Sequence, residues 1–197
     1  MSNTIQRSAL DQLFDEARTY NEWSEKPVDE QMVRELYDLL KWGPTSANCC
    51  PARFVWVRTA DGKAELAALA MDANRSKIPA APVTVIIGYD LAFPETMPKL
   101  FPAQAEMMRQ FFQQPGVAEV TAMRNGSLQG AYLIIAARAL GLDCGPMSGF
   151  DNAGVDQAFF SGTRMQSNFI CSIGYGKVGT PYPRNPRLTF GEAGRFA

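Results

Sequence analysis

Gly43-Pro-Thr-Ser-Ala-Asn-Cys-Cys-Pro-Ala-Arg53 is the stretch on which the fold turns. It separates an amphipathic helical pattern from an apolar run, Phe54-Val55-Trp56-Val57. Gly, Pro, Ser and Asn are turn formers, so the segment reads first as a turn. So many small hydrogen-bonding residues ahead of a core strand also suit a loop that holds a ligand. The rest of the chain decides between the two.

Upstream, Asp29 can cap a helix with Val33, Leu36, Tyr37 and Leu40 on one face, ended by Gly43-Pro44. Before it, Ser8-Ala-Leu-Asp11 reads as a capping-box-like start. Leu10, Leu13, Phe14 and Ala17 follow at helical spacing, the pattern fades at Tyr20–Asn21, and Pro27 breaks the chain. Downstream, Phe54–Arg58 is the first expected strand. Asp61-Gly62 is expected to turn into an Ala- and Leu-rich helix reaching about Met71. Val83–Ile87, between Pro82 and Gly88, reads as a buried strand. Residues 91–102 contain three prolines and read as irregular. Ala103–Phe112 is expected to be a helix closed by Pro115-Gly116. Val117–Leu140 is the longest helical pattern, and Ala131–Leu140 is apolar almost all round, as in a core or an oligomer interface. Gly141 suits a C-cap. A short helix from Asp151, a strand over Phe169–Tyr175 and an extended tail with Pro181, Pro183 and Pro186 complete the chain. Helices outweigh strands, which favours α+β or mixed α/β over an all-α or all-β class.

The chain has 197 residues, read as one domain over 1–197. A net charge of −1 gives no basic footprint for nucleic acid. No apolar run is long enough to span a bilayer. The start, Met1-Ser-Asn-Thr-Ile-Gln-Arg-Ser8, lacks the apolar core of a signal peptide, so a cytoplasmic location is expected. Four cysteines, Cys49, Cys50, Cys144 and Cys171, follow no metal-binding or redox spacing, so no metal is expected and the thiols are expected reduced. The chain contains no histidine. Ser-His-Asp and Cys-His catalysis are thereby excluded, and an enzyme built on this chain must use other side chains or a cofactor. Gly174-Tyr-Gly-Lys-Val-Gly179 matches the spacing of a dinucleotide fingerprint after a strand. That loop works only where its last glycine opens a helix, and Thr180-Pro181-Tyr-Pro183 forbids one here.

A set of short motifs, in order along nearly the whole chain, resembles the FMN-dependent nitroreductase family. Ala17-Arg18-Thr19-Tyr20-Asn21-Glu22-Trp23 followed by Pro27-Val28 resembles its N-terminal Arg-Arg-Ser-x-Arg-x-Phe…Pro-Val motif. Pro44-Thr45-Ser46-Ala47-Asn48-Cys49-Cys50-Pro51 resembles its Pro-Ser-Ser-x-Asn-x-Gln-Pro loop. Asn74-Arg75-Ser76-Lys77 resembles its Asn-x-x-Lys element, and Gly145-Pro146-Met147-Ser148-Gly149-Phe150 its Pro-x-x-Gly-Phe loop. Ile173-Gly174-Tyr175-Gly176 is similar to the family's last-strand ending, and Arg187-Leu188 to its phosphate-binding arginine in the tail. Ala17 and Asn21 stand where the family often has basic residues, and Cys50 stands in place of Gln. Within the family, Lys41–Asn48 and Leu142–Asp151 are most similar to the branch that contains malonic semialdehyde reductase of pyrimidine breakdown (the HadB/RutE branch).

The resemblance implies an α+β nitroreductase fold, a mostly antiparallel central sheet flanked by helices. It also implies a homodimer with an exchanged C-terminal tail and two FMN sites at the subunit interface. It implies ping-pong hydride transfer, with NADH or NADPH as electron donor and no side chain as catalytic acid or base. Arg18 and Arg187 would bind the FMN phosphate through forked, charge-assisted bonds. Thr19, Thr45, Ser46 and Asn48 would meet the ribityl chain, phosphate or ring edge, with Asn21, Pro44 and Pro146 in the same site. Asn74 and Lys77, three apart, would hold the O2 edge of the ring. Gly149 would admit close approach to N5, flanked by Ser148. The branch implies reduction of a small carboxylated aldehyde to 3-hydroxypropionate. Its carboxylate needs a cation, and Arg124 is the candidate, with Arg53 and Arg75 behind it. The helical phase expected to bury Leu128, Tyr132 and Ile135 puts Arg124 on their side, toward the interface where the flavin would lie. Two other readings stay open: a nitroaromatic or quinone reductase, and a flavin-binding module with a regulatory or storage role.

Overall fold

The structure, a computed structural model, describes residues 4–197. The sequence reading over residues 1–3 lies outside the described residues. In chain order the elements are α1 (Arg7–Leu10, continued by a wide π turn over Asp11–Asp15), α2 (Glu30–Leu40), β1 (Ala52–Val57), α3 (Ala60–Ala68), α4 (Asp72–Arg75) and α5 (Lys77–Ala80). There follow β2 (Val83–Asp90), α6 (Met97–Leu100), α7 (Ala105–Phe112), α8 (Val117–Ala139), β3 (Asp143–Met147), α9 (Asn152–Phe159), β4 (Met165–Gly174) and α10 (Phe190–Ala193).

The four strands form one sheet in the order β1-β2-β4-β3, with every pairing antiparallel. β2 lies inside the sheet and alternates with period two. Val83, Val85 and Ile87 meet Leu36, Leu40, Leu133 and Ala137 from α2 and α8 on one face. Ile86 meets Leu66, Ile78 and Val155 from α3, α5 and α9, and Phe160 just after α9, on the other. Both faces are covered, so the strand reads as a continuous apolar run rather than an alternating one. The buried hydroxyls of Thr84 and Ser172 satisfy each other, 3.0 Å apart across β2 and β4.

Several sequence expectations are corrected. β1 begins two residues early, at Ala52, because Pro51 and Ala52 already pair with the far end of β2. β2 runs past Gly88 to Asp90 through a bulge at Ile87/Gly88. The glycine permits this, since a Cβ there would lie 2.8 Å from the Phe160 ring. Asp61-Gly62 is not a turn but the first turn of α3, whose cap is Thr59, accepting from the Gly62 N–H at 3.1 Å. Ser8 is not the cap of the first helix; it lies inside α1, whose N-cap position is Gln6. The three prolines of 91–102 each fall in a short helical turn, at Phe93–Thr96, Met97–Leu100 and Pro102–Gln104, rather than in an irregular loop. β4 starts at Met165, and β3 lies in a stretch that sequence reading treated as a loop. Asp29 does cap α2, accepting from the Met32 N–H at 2.8 Å, and Gly141 closes α8 with φ +75°.

Candidate active site

Three groups of the singled-out residues have distinct places. The first lies at the C-terminal end of α8. There the Asp11–Asp15 turn packs against the helix: Gln12 donates to the Arg138 carbonyl at 2.6 Å, and Arg138 donates to the Leu13 carbonyl at 3.0 Å. A cavity of about 480 Å³ opens beside it, lined by Arg18, Thr19, Asn21 and Arg187, joined by Arg138 and Arg184. Arg184 ties the tail down by donating to the carbonyls of Phe14, Asp15 and Ala17 at 2.9, 2.6 and 2.9 Å. Arg18 donates to the carbonyls of Asp15 and Ala17, both at 3.0 Å. The one carboxylate in the lining, Asp15, is paired with Arg7. The cavity therefore carries an excess of guanidinium charge. Arg138 Nε is buried with no hydrogen-bond partner among the described residues. Burial raises the Asp143 carboxyl above its ordinary range, and the Gly176 N–H and Arg138 pull it back.

The second group is linked to the first by β3. Thr19 runs parallel to Cys144, and the Tyr20 N–H donates to the Cys144 carbonyl at 3.1 Å. From Cys144 to Ser148 an extended chain covers about 13 Å. At that far end Asn74 donates to the Gly149 carbonyl at 3.1 Å, and Lys77 donates to Asn74 Oδ1 at 3.0 Å. A break at Ser76 separates α4 from α5, yet the two side chains still meet. A Cβ on residue 149 would stand 2.8 Å from Asn74 Nδ2 and 3.2 Å from Met71 Sδ. Only glycine leaves this contact intact. Pro146 and Ser148 are both exposed on the segment joining the two groups.

The third group is the loop Pro44–Pro51, seated on the N-terminal half of α8. Three of its non-glycine residues have left-handed backbone: Ala47 (φ 49°), Asn48 (52°) and Cys50 (39°). Such residues cost about 1–3 kcal/mol each and persist only where the surroundings over-determine them. Thr45 Oγ1 accepts from the Cys50 N–H at 3.2 Å, and Asn48 donates to the Leu100 carbonyl at 2.8 Å. Arg53 donates to the carbonyls of Cys50, Pro51 and Ala52 and pairs with Asp90 at 2.9 Å. Arg53 is therefore committed to the loop and is not a free cation, and Arg75 pairs with Asp72 at 3.0 Å. Asn125 bonds this loop and Arg138 borders the first cavity, and α8 rises about 20 Å between them. One chain thus brings Arg18, Thr19, Asn21 and Arg187 together. It brings Asn74, Lys77 and Gly149 together, and it holds Pro44, Thr45, Ser46 and Asn48 apart from the arginine cavity.

Residues 15–177 match the sequence model of the nitroreductase family. The chain belongs to the nitroreductase family. A Caulobacter protein (strain K31), provisionally named an NADH dehydrogenase/NAD(P)H nitroreductase, is 60% identical over 192 residues, covering 98% of each chain. A Xanthomonas oryzae protein of the same provisional name is 56% identical, covering 100% of each chain. The fold is similar to that of a protein from Exiguobacterium sibiricum, provisionally described as a nitroreductase and solved in complex with FMN. The TM-score is 0.87 at 17% identity, covering 100% of each chain.

The expected phase of α8 is corrected. Its buried face is Thr121, Ala122, Asn125, Gly126, Gln129, Gly130, Leu133, Ala136 and Ala137. Leu128 and Tyr132 are 47% and 38% exposed. Arg124 shares their exposed side, so in one chain it faces outward with an apolar stripe. Sequence reading missed Asn125, Gln129, Arg138 and Arg184. Asn125 and Gln129 carried a signal: polar residues one helical turn apart on the face that also holds Leu133 and Ala136.

Proposed function

We propose that this nitroreductase-family protein is an FMN-dependent NAD(P)H oxidoreductase. The observation that carries the reading is the arginine cavity with its unpartnered Arg138 Nε, joined by β3 to the Asn74–Lys77–Gly149 contact. The residues present fit the group: guanidinium charge for a phosphate dianion at one end, and a cation beside a side-chain-free glycine at the other. The FMN in the Exiguobacterium structure and the nicotinamide in the relatives' names support the same reading.

In this reading Arg18 and Arg187 bind the phosphate, with Thr19 and Asn21 beside them, and Pro146 and Ser148 border the path to the ring. Lys77, oriented by Asn74, holds negative charge at the ring edge, and Gly149 keeps the approach to the ring open. The flavin, when bound, carries the hydride between donor and acceptor. No side chain is required as acid or base, which suits a chain without histidine. The loop with Pro44, Thr45, Ser46 and Asn48 belongs to the partner's site in a homodimer. Its distance along α8 from the arginine cavity supports that arrangement, as does the exposed stripe of Val120, Met123, Leu128 and Tyr132.

For the acceptor we propose a small carboxylated aldehyde of the malonic semialdehyde type, reduced to the hydroxy acid, on the motif resemblance at Lys41–Asn48 and Leu142–Asp151. A nitroaromatic or quinone acceptor is the second reading, and the relatives' nitroreductase names favour the nitroaromatic. The test is to purify the protein, release the cofactor by denaturation, and follow NADH and NADPH oxidation with each acceptor. FMN release and acceptor-dependent turnover are expected. A colourless protein that cannot be reconstituted with FMN sinks the reading. Removal of residues 181–197 takes away Arg184 and Arg187, and dimerisation or FMN retention should go with them. A truncated monomer that still holds FMN tightly would remove the shared site.

A further inference from the structure

We infer that Asn125 and Gln129 are positioning residues that fix the shape of the Thr45–Ala52 loop, and through it the flavin contacts that the loop makes. The inference rests on the flavin reading above. The two residues stand one turn apart on α8, on the same face, and are 1% and 5% exposed. Asn125 Oδ1 accepts from the Ser46 N–H at 2.9 Å, at the start of the loop. Gln129 Oε1 accepts from the Ala52 N–H at 2.9 Å, at its end. Asn125 is fixed in turn by donating to the Thr121 carbonyl at 2.9 Å.

Two buried carboxamides thus tie both ends of the loop to one rigid helix. Between the ties lie Ala47, Asn48 and Cys50, the three residues with left-handed backbone. The loop's internal bonds, Asn48 N–H to the Thr45 carbonyl and Cys49 N–H to the Ser46 carbonyl, both at 3.0 Å, do not by themselves set where the turn sits on the protein. The ties do. A buried amide is costly in an apolar setting unless its bonds are made, so each tie holds one geometry. Ser46 and Asn48, on the loop surface, are then presented without a search over backbone states, which is the preorganisation that a binding or hydride-transfer site needs.

The test uses the purified full-length holoprotein and four variants. Asn125→Leu and Gln129→Met keep shape and remove the acceptor. Gln129→Glu keeps the oxygen, which makes the one hydrogen bond of this side chain among the described residues. Gln129→Asn, one methylene shorter, carries the test if the apolar variants do not fold. Hydrogen exchange across residues 44–53 is read beside the visible circular dichroism of the flavin, FMN affinity and steady-state turnover. Exchange at Ser46 or Ala52 is expected to rise about 10-fold on loss of a buried hydrogen bond. The visible band should change and kcat fall about 10- to 100-fold, with both restored toward wild type in Gln129→Glu. Unchanged exchange in the folded variants overturns the inference. So does faster exchange with an unaltered visible band and kcat, which would make the ties merely structural. A wild-type protein without flavin removes the functional reading instead, and the exchange measurement still decides whether the two side chains hold the loop.

Discussion

The Lys77 ammonium donates to Asn74 Oδ1 at 3.0 Å while the Asn74 amide donates to the Gly149 carbonyl at 3.1 Å. The chain of contacts joins a cation to the backbone of the glycine proposed to face the flavin ring. Its first bond fixes which end of the Asn74 amide points at the lysine, so Lys77 is held in place rather than free to sample solvent.

Lys77→Met should therefore make bound FMN harder to reduce. A cation about 4 Å from developing negative charge is worth up to about 4 kcal/mol at an effective dielectric near 20. Lys77 is only partly buried, and screening lowers that figure. A loss of about 1.4 kcal/mol lowers a two-electron potential by about 30 mV. Spectroelectrochemical titration of the folded variant reads it directly. An unchanged potential with FMN still bound would leave Lys77 a structural residue.

Arg187→Ala should weaken FMN binding by about 10- to 150-fold, the equivalent of one charge-assisted hydrogen bond of roughly 1.5–3 kcal/mol. Arg187 reaches the cavity and, among the described residues, its side chain bonds only the neighbouring carbonyls of Asn185 and Pro186, at 2.9 and 3.1 Å, so it is not spent on another element. Arg184→Ala acts differently. It releases the tail from the carbonyls of residues 14, 15 and 17, and should loosen the whole cavity. Fluorescence titration of the apoprotein with FMN would show both effects. A wild-type dissociation constant in Arg187→Ala would take this residue out of the phosphate site.

The amphipathic pattern of α2, the Asp29 cap and the central strand β2 were legible because each is a local signal. So was the long helix α8. Its phase was not. The expectation that Leu128 and Tyr132 are buried follows from their hydrophobicity. The helix instead turns Asn125 and Gln129 inward, because the loop's backbone N–H groups need acceptors there and the apolar stripe faces outward. β3 was missed for a related reason: Gly145 and Pro146 read as loop residues. Yet β3 is an edge strand, which tolerates Pro146, and Gly145 is required there because a Cβ would lie 2.4 Å from the Tyr20 carbonyl oxygen. The motif residues were found one by one. Which of them share a cavity depends on tertiary distance, as the separation of Asn48 from Arg187 illustrates.

Cys49 gives a pH prediction. Burial, then the neighbouring Cys50, pushes its thiol up to about 12. An unfolded-chain thiol ionises near 8.5. Between these values the unfolded chain releases a proton that the folded protein keeps, so stability falls as pH rises through that window. The contribution is fully present below about pH 8.5. Cys49→Ala removes it and leaves a small cavity whose cost does not depend on pH. The stability difference between wild type and Cys49→Ala should therefore shrink from pH 8 to pH 10.5, measured by urea unfolding under reducing conditions. Parallel curves across that range would show that Cys49 does not titrate with unfolding.

Arg124 is the remaining candidate for the substrate carboxylate, and its position makes a specific demand. It sits next to Asn125, which holds the loop, but on the exposed side of α8 with Met123 and Leu128. In one chain it faces outward. In the proposed dimer the same face lies at the interface, where the partner's flavin site would be. If Arg124 meets the acceptor there, Arg124→Ala should reduce kcat/KM for the carboxylated aldehyde by about 30- to 150-fold, from loss of a bond worth roughly 2–3 kcal/mol. Turnover of an uncharged quinone should change far less, because the fold, the flavin and the loop ties are untouched. Arg124→Lys should recover part of the loss, since a point charge remains but the planar fork does not. Equal losses for both acceptors would point to a damaged interface, and no loss for either would leave Arg124 an ordinary surface arginine.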